Sequence, residues 1–397
     1  MVRRPPTYRW GMVAALAVTS TAGYGVLTYA FAVLLVPMQE SLGADRTAVT
    51  GAQTVSLLAA AVTAIPVGRW LDRWGGRALM VGCSVLATVL VLAWSQVTSV
   101  LALYAVSFGL GVASAGVLYE AAFAVVVSWF EDPRRGTAML VITIVGGFAS
   151  TIFIPLTAVL VEAYGWRQAL VVLAIVYGGL TVPLHLLVRR PRGFVPRRRE
   201  ARQSIAGAVR DPGYWLIAGV FVFQGVGIFV TGVHLVAYLR ELGHAPTVAA
   251  NVAGLLGVMS VTGRVVTTFA ARRYGITVVA VVFAVQAAGL ALLPVAGQAL
   301  APAIGCVLAV GLGFGVSTIA RPTLLADRYG VAGYATLAGV LAAVLTVTKA
   351  LAPLGAAWLR TAAGSYTPVM AISAAGGILG AAGLLALRPA RSRAPVT

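Results

Sequence analysis

Polar and charged residues fall along this chain in short clusters, and between them lie continuous apolar runs of about 20 residues or more, the length that crosses a hydrocarbon core as a helix. Breaks at charge clusters, glycines and prolines set twelve such segments, 10–37, 47–70, 77–96, 100–130, 135–162, 166–188, 213–240, 247–271, 276–296, 299–326, 333–360 and 366–388. The runs do not alternate, which excludes the strands of a transmembrane β-barrel. The first is too long for a signal sequence and has no small-residue cleavage site, so it is expected to stay as a span. The predicted fold class is an all-α polytopic membrane protein of twelve transmembrane helices.

Composition sharpens this. Hydrophobic residues make up 60% of the chain and charged residues 10%, against about 25% charged in soluble proteins. The 29 basic and 11 acidic residues give +18, a balance that on a soluble chain would suggest nucleic acid. Position decides otherwise. In the segmentation above, 22 arginines lie at the termini and in alternate connections, and four (Arg46, Arg167, Arg240 and Arg360) lie on the other side. That is the positive-inside pattern, with both termini cytoplasmic in a cell (plasma or inner) membrane. The partner of the charge is the bilayer, and no nucleic-acid partner is expected. The longest break, RRPRGFVPRRREARQSIAGAVRDP, carries eight arginines. It reads as a cytoplasmic linker at 189–212, anchored on the anionic leaflet, between an N-terminal half (1–188) and a C-terminal half (213–397) of six spans each. Cys83 and Cys306 lie inside apolar runs with no disulfide or metal spacing. No metal, cofactor, nucleophile–base pair or nucleotide loop is indicated, so an enzyme is not expected.

The halves repeat. An offset of 200 sets Gly25-Val26 on Gly225-Val226, Leu42-Gly43 on Leu242-Gly243, and Asp72-Arg73-Trp74-Gly75 on Arg272-Arg273-Tyr274-Gly275. Between spans two and three, Gly68-Arg69-Trp70-Leu71-Asp72-Arg73-Trp74-Gly75-Gly76-Arg77 resembles the G-x-x-x-D-[RK]-x-G-x-[RK]-[RK] loop of the major facilitator superfamily, departing at Ala78. The resemblance implies two pseudosymmetric six-helix halves with a site between them, and a gating role for Asp72 and Arg73.

Four charges remain inside the spans: Glu120, Arg264, Arg321 and the only lysine, Lys349. Three cations and one carboxylate leave +2, which favours an anion in a cavity of low dielectric. Arg264 offers a planar fork for a carboxylate and Lys349 a point charge for a second one. Pro353 frees the Lys349 carbonyl and marks a pivot. Glu120 and Arg321 occupy nearly equivalent places in spans four and ten. They read as a salt bridge that breaks during transport, or Glu120 carries a coupling proton, or the two are a packing pair. His234, Tyr119, Tyr24, Tyr29 and Gln224 are further substrate-binding candidates, each with a packing or hydrogen-bonding role as its alternative.

A cation in span eight and a lysine in span eleven, with GYGVLTYAFAVLLVPMQ, VSWF-x-x-x-RRGTA, YGWRQAL and VHLVAYL elsewhere, resemble the oxalate/formate antiporter and monocarboxylate transporter branch of that superfamily. The resemblance implies that Arg264 binds substrate carboxylate and Lys349 supplies a second charge. The animal monocarboxylate carriers also have an acid one turn before the span-eight arginine and a lysine in span one. Here that turn holds Ser260 and span one is uncharged, so their lactate–proton mechanism does not carry over. The expectation is a secondary transporter of small organic anions, mono- or dicarboxylates, working by alternating access as an exchanger or as a symporter with protons. The alternative is a proton-coupled efflux pump for drugs or amphiphiles. A monomer is expected, since one chain holds both halves.

Overall fold

The computed structural model describes residues 6–131, 134–191 and 198–387, and every regular element among them is helical. Apolar runs fold as helices in lipid because each backbone N–H and C=O is then paired within its own segment. In the first half these are α1 (Pro6–Tyr24), a π-helical turn (Gly25–Tyr29), α2 (Ala30–Leu42), α3 (Arg46–Trp74), α4 (Gly76–Ser95), α5 (Val100–Val117), α6 (Tyr119–Trp129), α7 (Arg134–Gly147) and α8 (Ala149–Leu186). A further helix, α9 (Arg198–Arg210), lies in the linker. There follow α10 (Pro212–Glu241), α11 (Pro246–Tyr274), α12 (Ile276–Ala296), α13 (Leu300–Tyr329), α14 (Tyr334–Ala363) and α15 (Thr367–Ala386).

Eleven stretches of the described residues are long and apolar enough to cross a membrane, and the longest, Arg134–Leu186, has 53 residues and is broken by Gly165 at φ 77°, ψ 161°. It therefore holds two spans, which brings the number to twelve, as the apolar runs predict. Helix ends follow local chemistry. Asp45 accepts from the Ala48 amide at 2.6 Å and Ser99 from Ala102 at 3.2 Å, satisfying donors that the first turn leaves open. The repeat is written into the turns as well: Gly43 and Gly243, and Gly75 and Gly275, all have positive φ.

Three spans of the first half are not continuous helices. Span one contains the π turn, span four is interrupted at Leu118 (φ −83°, ψ −168°), and span five is interrupted between Gly147 and Ala149. Thr21 Oγ1 donates to the Val145 carbonyl at 3.1 Å, and the Tyr24 and Tyr119 rings lie 4.6 Å apart, so the three irregular stretches are neighbours. Irregular backbone at membrane depth persists where it is buried in protein or lines a cavity.

By their contacts the residues form two units, Met1–Ile205 with Val331–Ala350, and Ala206–Gly330 with Leu351–Thr397. The first is centred on Val26, Leu34, Met38, Val91, Leu103, Leu173 and Tyr177, all fully buried or nearly so. The second has its core around Tyr238, Leu239, Leu290, Leu293, Val307, Val310 and Met370.

Candidate functional site

The best-defined polar site of the first unit is built around Asp72, in the last turn of α3. Gly75, at φ 79°, ends that helix, and the turn directs the Asp72 carboxylate to the first residues of α14. Its Oδ1 accepts from the Ala335 amide at 3.0 Å, and its Oδ2 accepts from the Thr336 amide at 2.8 Å and from Thr336 Oγ1 at 2.6 Å. A carboxylate at a helix N-terminus satisfies amides with no intrahelical partner and meets the positive end of the helix dipole. The backbones can come this close because Gly68 and Gly339 lack side chains: a Cβ on Gly68 would collide with the Ala335 carbonyl, and one on Gly339 with that of Ala64. Neighbouring Arg73 instead lays its guanidinium over the Trp74 ring at 4.6 Å. The resemblance picks out Asp72, and nothing in a single sequence points to Thr336 as its partner.

Lys349 lies on α14. Its side chain is exposed and makes no hydrogen bond or ion pair with the protein among the described residues. Exposed apolar side chains of the same helix, Val347, Leu351, Leu354 and Trp358, form one stripe suited to lipid. At about 100° per residue, Lys349 falls on the opposite side of the helix from that stripe.

In the second unit, Arg264 on α11 is half-buried and its Nη2 donates to Ser260 Oγ at 3.3 Å, one turn earlier. A neutral hydroxyl thus stands where the animal carriers have an acid, and it adds no charge to offset the guanidinium. The stem of Arg264 lies across Gly315 of α13. Glu120, in the first turn of α6 directly after the Leu118 break, and Arg321 on α13 are both half-buried. Tyr119 lies beside Tyr24 and stacks on Phe123 at 5.3 Å, while Tyr29 ends the π turn, 37% exposed.

Two candidates are engaged inside the second unit. His234 is bonded at both ring nitrogens, Nδ1 to Tyr366 Oη at 3.1 Å and Nε2 to the Pro353 carbonyl at 3.0 Å. A carbonyl only accepts, so Nε2 carries the proton in that bond. Gln224 is 1% exposed and its Nε2 donates to Gln286 Oε1 and to the Gly313 carbonyl, both at 3.1 Å. Gln286 is the one amide in the apolar run of α12, and the sequence reading passed over it.

The fold and these sites define a polytopic helical membrane protein with polar and charged groups held inside its spans. The general model of the Major Facilitator Superfamily matches residues 14–353, and the chain belongs to that family of transporters. Among curated relatives, an efflux pump of the superfamily from Mycolicibacterium smegmatis is 28% identical over 68% of this chain and 65% of its own length. The oxalate:formate antiporter of Oxalobacter formigenes is 26% identical over 72% of this chain and 69% of that protein. Bovine monocarboxylate transporter 13 is 27% identical over 66% and 61%. The chain thus spans less than two thirds of the length of some of these relatives. Among solved structures, the human organic anion transporter MFSD10 superposes with a TM-score of 0.74 at 15% identity, covering 96% of this chain and all of that one, which shows the shared fold.

Proposed function

We propose that this protein is a secondary active transporter of small organic anions, mono- or dicarboxylates, working by alternating access as an exchanger or a proton symporter. The observation that carries the reading is Lys349, an ammonium within a membrane span, turned from the apolar stripe of its helix and bonded to no protein group among the described residues. Keeping such a charge is costly, about 2.5–3.5 kcal/mol on insertion scales, and an anionic substrate offsets that cost. Arg264 supplies the second cation. Tyr24, Tyr29 and Tyr119 supply hydroxyls and an aromatic wall beside the irregular backbone of spans one and four. His234 and Gln224 support helix packing. Asp72 with Arg73 forms the cytoplasmic gate, and Glu120 with Arg321 sets a second gate or the proton coupling. The relatives that bear carboxylate names favour this substrate class. On this reading the protein works in the cell membrane as a monomer, with both termini and the arginine-rich connections in the cytoplasm and with transport rather than catalysis as its activity.

The test is uptake of labelled oxalate and of labelled lactate into proteoliposomes. Arg264→Ala and Lys349→Ala are each expected to abolish carboxylate uptake in protein that still folds, and normal uptake by either variant removes it from the site. A second reading is favoured by the mycobacterial relative, a proton-coupled efflux pump. That reading predicts drug resistance in a sensitive host, lost in Glu120→Gln and kept in Lys349→Ala.

A further inference from the structure

The Asp72 turn is held from behind by a residue that lies far from it in sequence. Arg190 follows α8 as the second arginine of the linker, and its Nη2 donates to the Asp72 carbonyl at 3.2 Å and to the Leu71 carbonyl at 3.5 Å. These are terminal carbonyls of α3, where the helix dipole favours a cation. The side chain reaches them by lying over Gly75, where a Cβ would come 2.5 Å from Arg190 Nε and 2.9 Å from its Cγ. Glycine at 75 therefore serves two ends, the positive φ of the turn and the bed for the arginine. The backbone beside Arg190 is itself fixed, since Trp129 Nε1 donates to the Arg189 carbonyl at 2.6 Å. Burial pulls the Arg190 guanidinium below its ordinary value and the nearby Asp72 carboxylate pushes it back up, so the two charges lie close enough to interact. Both line a cavity of about 40 Å³, together with Gly75, Ser128 and Tyr334 among others.

We propose that Arg190 is a positioning residue of the gate: by clamping the last carbonyls of α3 it aims the Asp72 carboxylate at the Ala335 and Thr336 amides, and so ties the start of the linker to the latch. The loop motif ends at Ala78 where its pattern calls for a second basic residue, and the guanidinium behind Asp72 comes from the linker. The proposal rests on Asp72 being a latch and is independent of which substrate is carried.

The test is hydrogen exchange at the Ala335 and Thr336 amides in the full-length protein in lipid nanodiscs, with Arg190→Ala, Arg190→Lys, Asp72→Asn and the Arg190→Ala/Asp72→Asn double variant. Arg190→Ala is expected to speed exchange at these two amides roughly tenfold, equivalent to about 1.4 kcal/mol, and Arg190→Lys to recover part of the protection. Because Arg190 acts through Asp72, the double variant should match Asp72→Asn alone. Multiplying effects in the double variant, or faster exchange spread evenly over α3 and α14 with a lowered melting temperature, would show a merely structural cap and overturn the proposal. If Asp72→Asn leaves exchange unchanged, the latch itself fails. If Asp72→Asn speeds it and Arg190→Ala does not, the positioning role alone fails.

Discussion

Asp72→Asn is the sharpest perturbation of the proposed gate. The carboxylate accepts three hydrogen bonds from two residues at the start of α14, and the longest is 3.0 Å. Asparagine keeps the shape, removes the charge, and turns one accepting oxygen into an amide that faces a donor. Each hydrogen bond to a charged group contributes about 1.5–3 kcal/mol, and the charge at a helix N-terminus adds roughly 0.3–1 kcal/mol. With one bond lost and the others reduced to neutral strength, the latched state should lose about 2–4 kcal/mol, a shift of roughly a hundredfold in its population. Thr336→Val removes only the hydroxyl bond and should cost about 1.5 kcal/mol, roughly tenfold. Amide exchange at Ala335 and Thr336 reads both, and should accelerate in that order. Unchanged exchange in Asp72→Asn, or a larger effect from Thr336→Val, would refute the reasoning.

Two further predictions concern groups away from the gate. Gln224→Met leaves the Gly313 carbonyl and Gln286 without their donor and should destabilise the protein by about 1–3 kcal/mol, whereas Gln224→Met with Gln286→Met removes both amides and should cost less than the single change; a single variant of wild-type stability with weakened substrate binding would return Gln224 to the substrate site. At the end of the linker, burial pushes the Asp211 carboxyl up, but bonds from Tyr329 Oη, the Gly213 amide and Arg328 outweigh it and hold the group below its ordinary 3.8. A depressed carboxyl stabilises the fold above its unfolded value and loses that contribution as pH falls through the folded one. Asp211→Asn should therefore lower the melting temperature near neutral pH, by a deficit that shrinks as pH falls through the folded value, which lies below 3.8, and a deficit that stays constant as the solution is acidified would contradict this.

The twelve spans were legible because hydrocarbon imposes one rule on every backbone group, and the charge clusters, glycines and prolines that end the spans stand out against apolar sequence. The repeat was legible too, down to Gly75 and Gly275 at equivalent turns. What stayed hidden depends on partners distant in sequence. Asp72 could be singled out, but its bonds to Ala335 and Thr336, and the support from Arg190, exist only once α3, α8 and α14 are assembled. The break at Leu118 and the π turn at Gly25–Tyr29 interrupt runs that read as continuous helix, because their cause is tertiary packing. Helix α9 was masked by the arginine content of the linker, although Ala201, Ile205, Ala208 and Val209 fall at helical spacing. Lys349 is the opposite case: a lone lysine in an apolar run stands out from composition alone.

The most direct test of the carboxylate reading is thermal stabilisation of the purified protein in detergent. The panel holds oxalate, formate, lactate, pyruvate, malonate and several cationic drugs, with Lys349→Ala measured in parallel. A ligand well above its dissociation constant raises the melting temperature by mass action, by about 2.7 kcal/mol of stabilisation at a hundredfold excess over Kd. The account predicts a rise with one or more carboxylates that disappears in Lys349→Ala; a rise confined to cationic drugs and kept without Lys349 would contradict it.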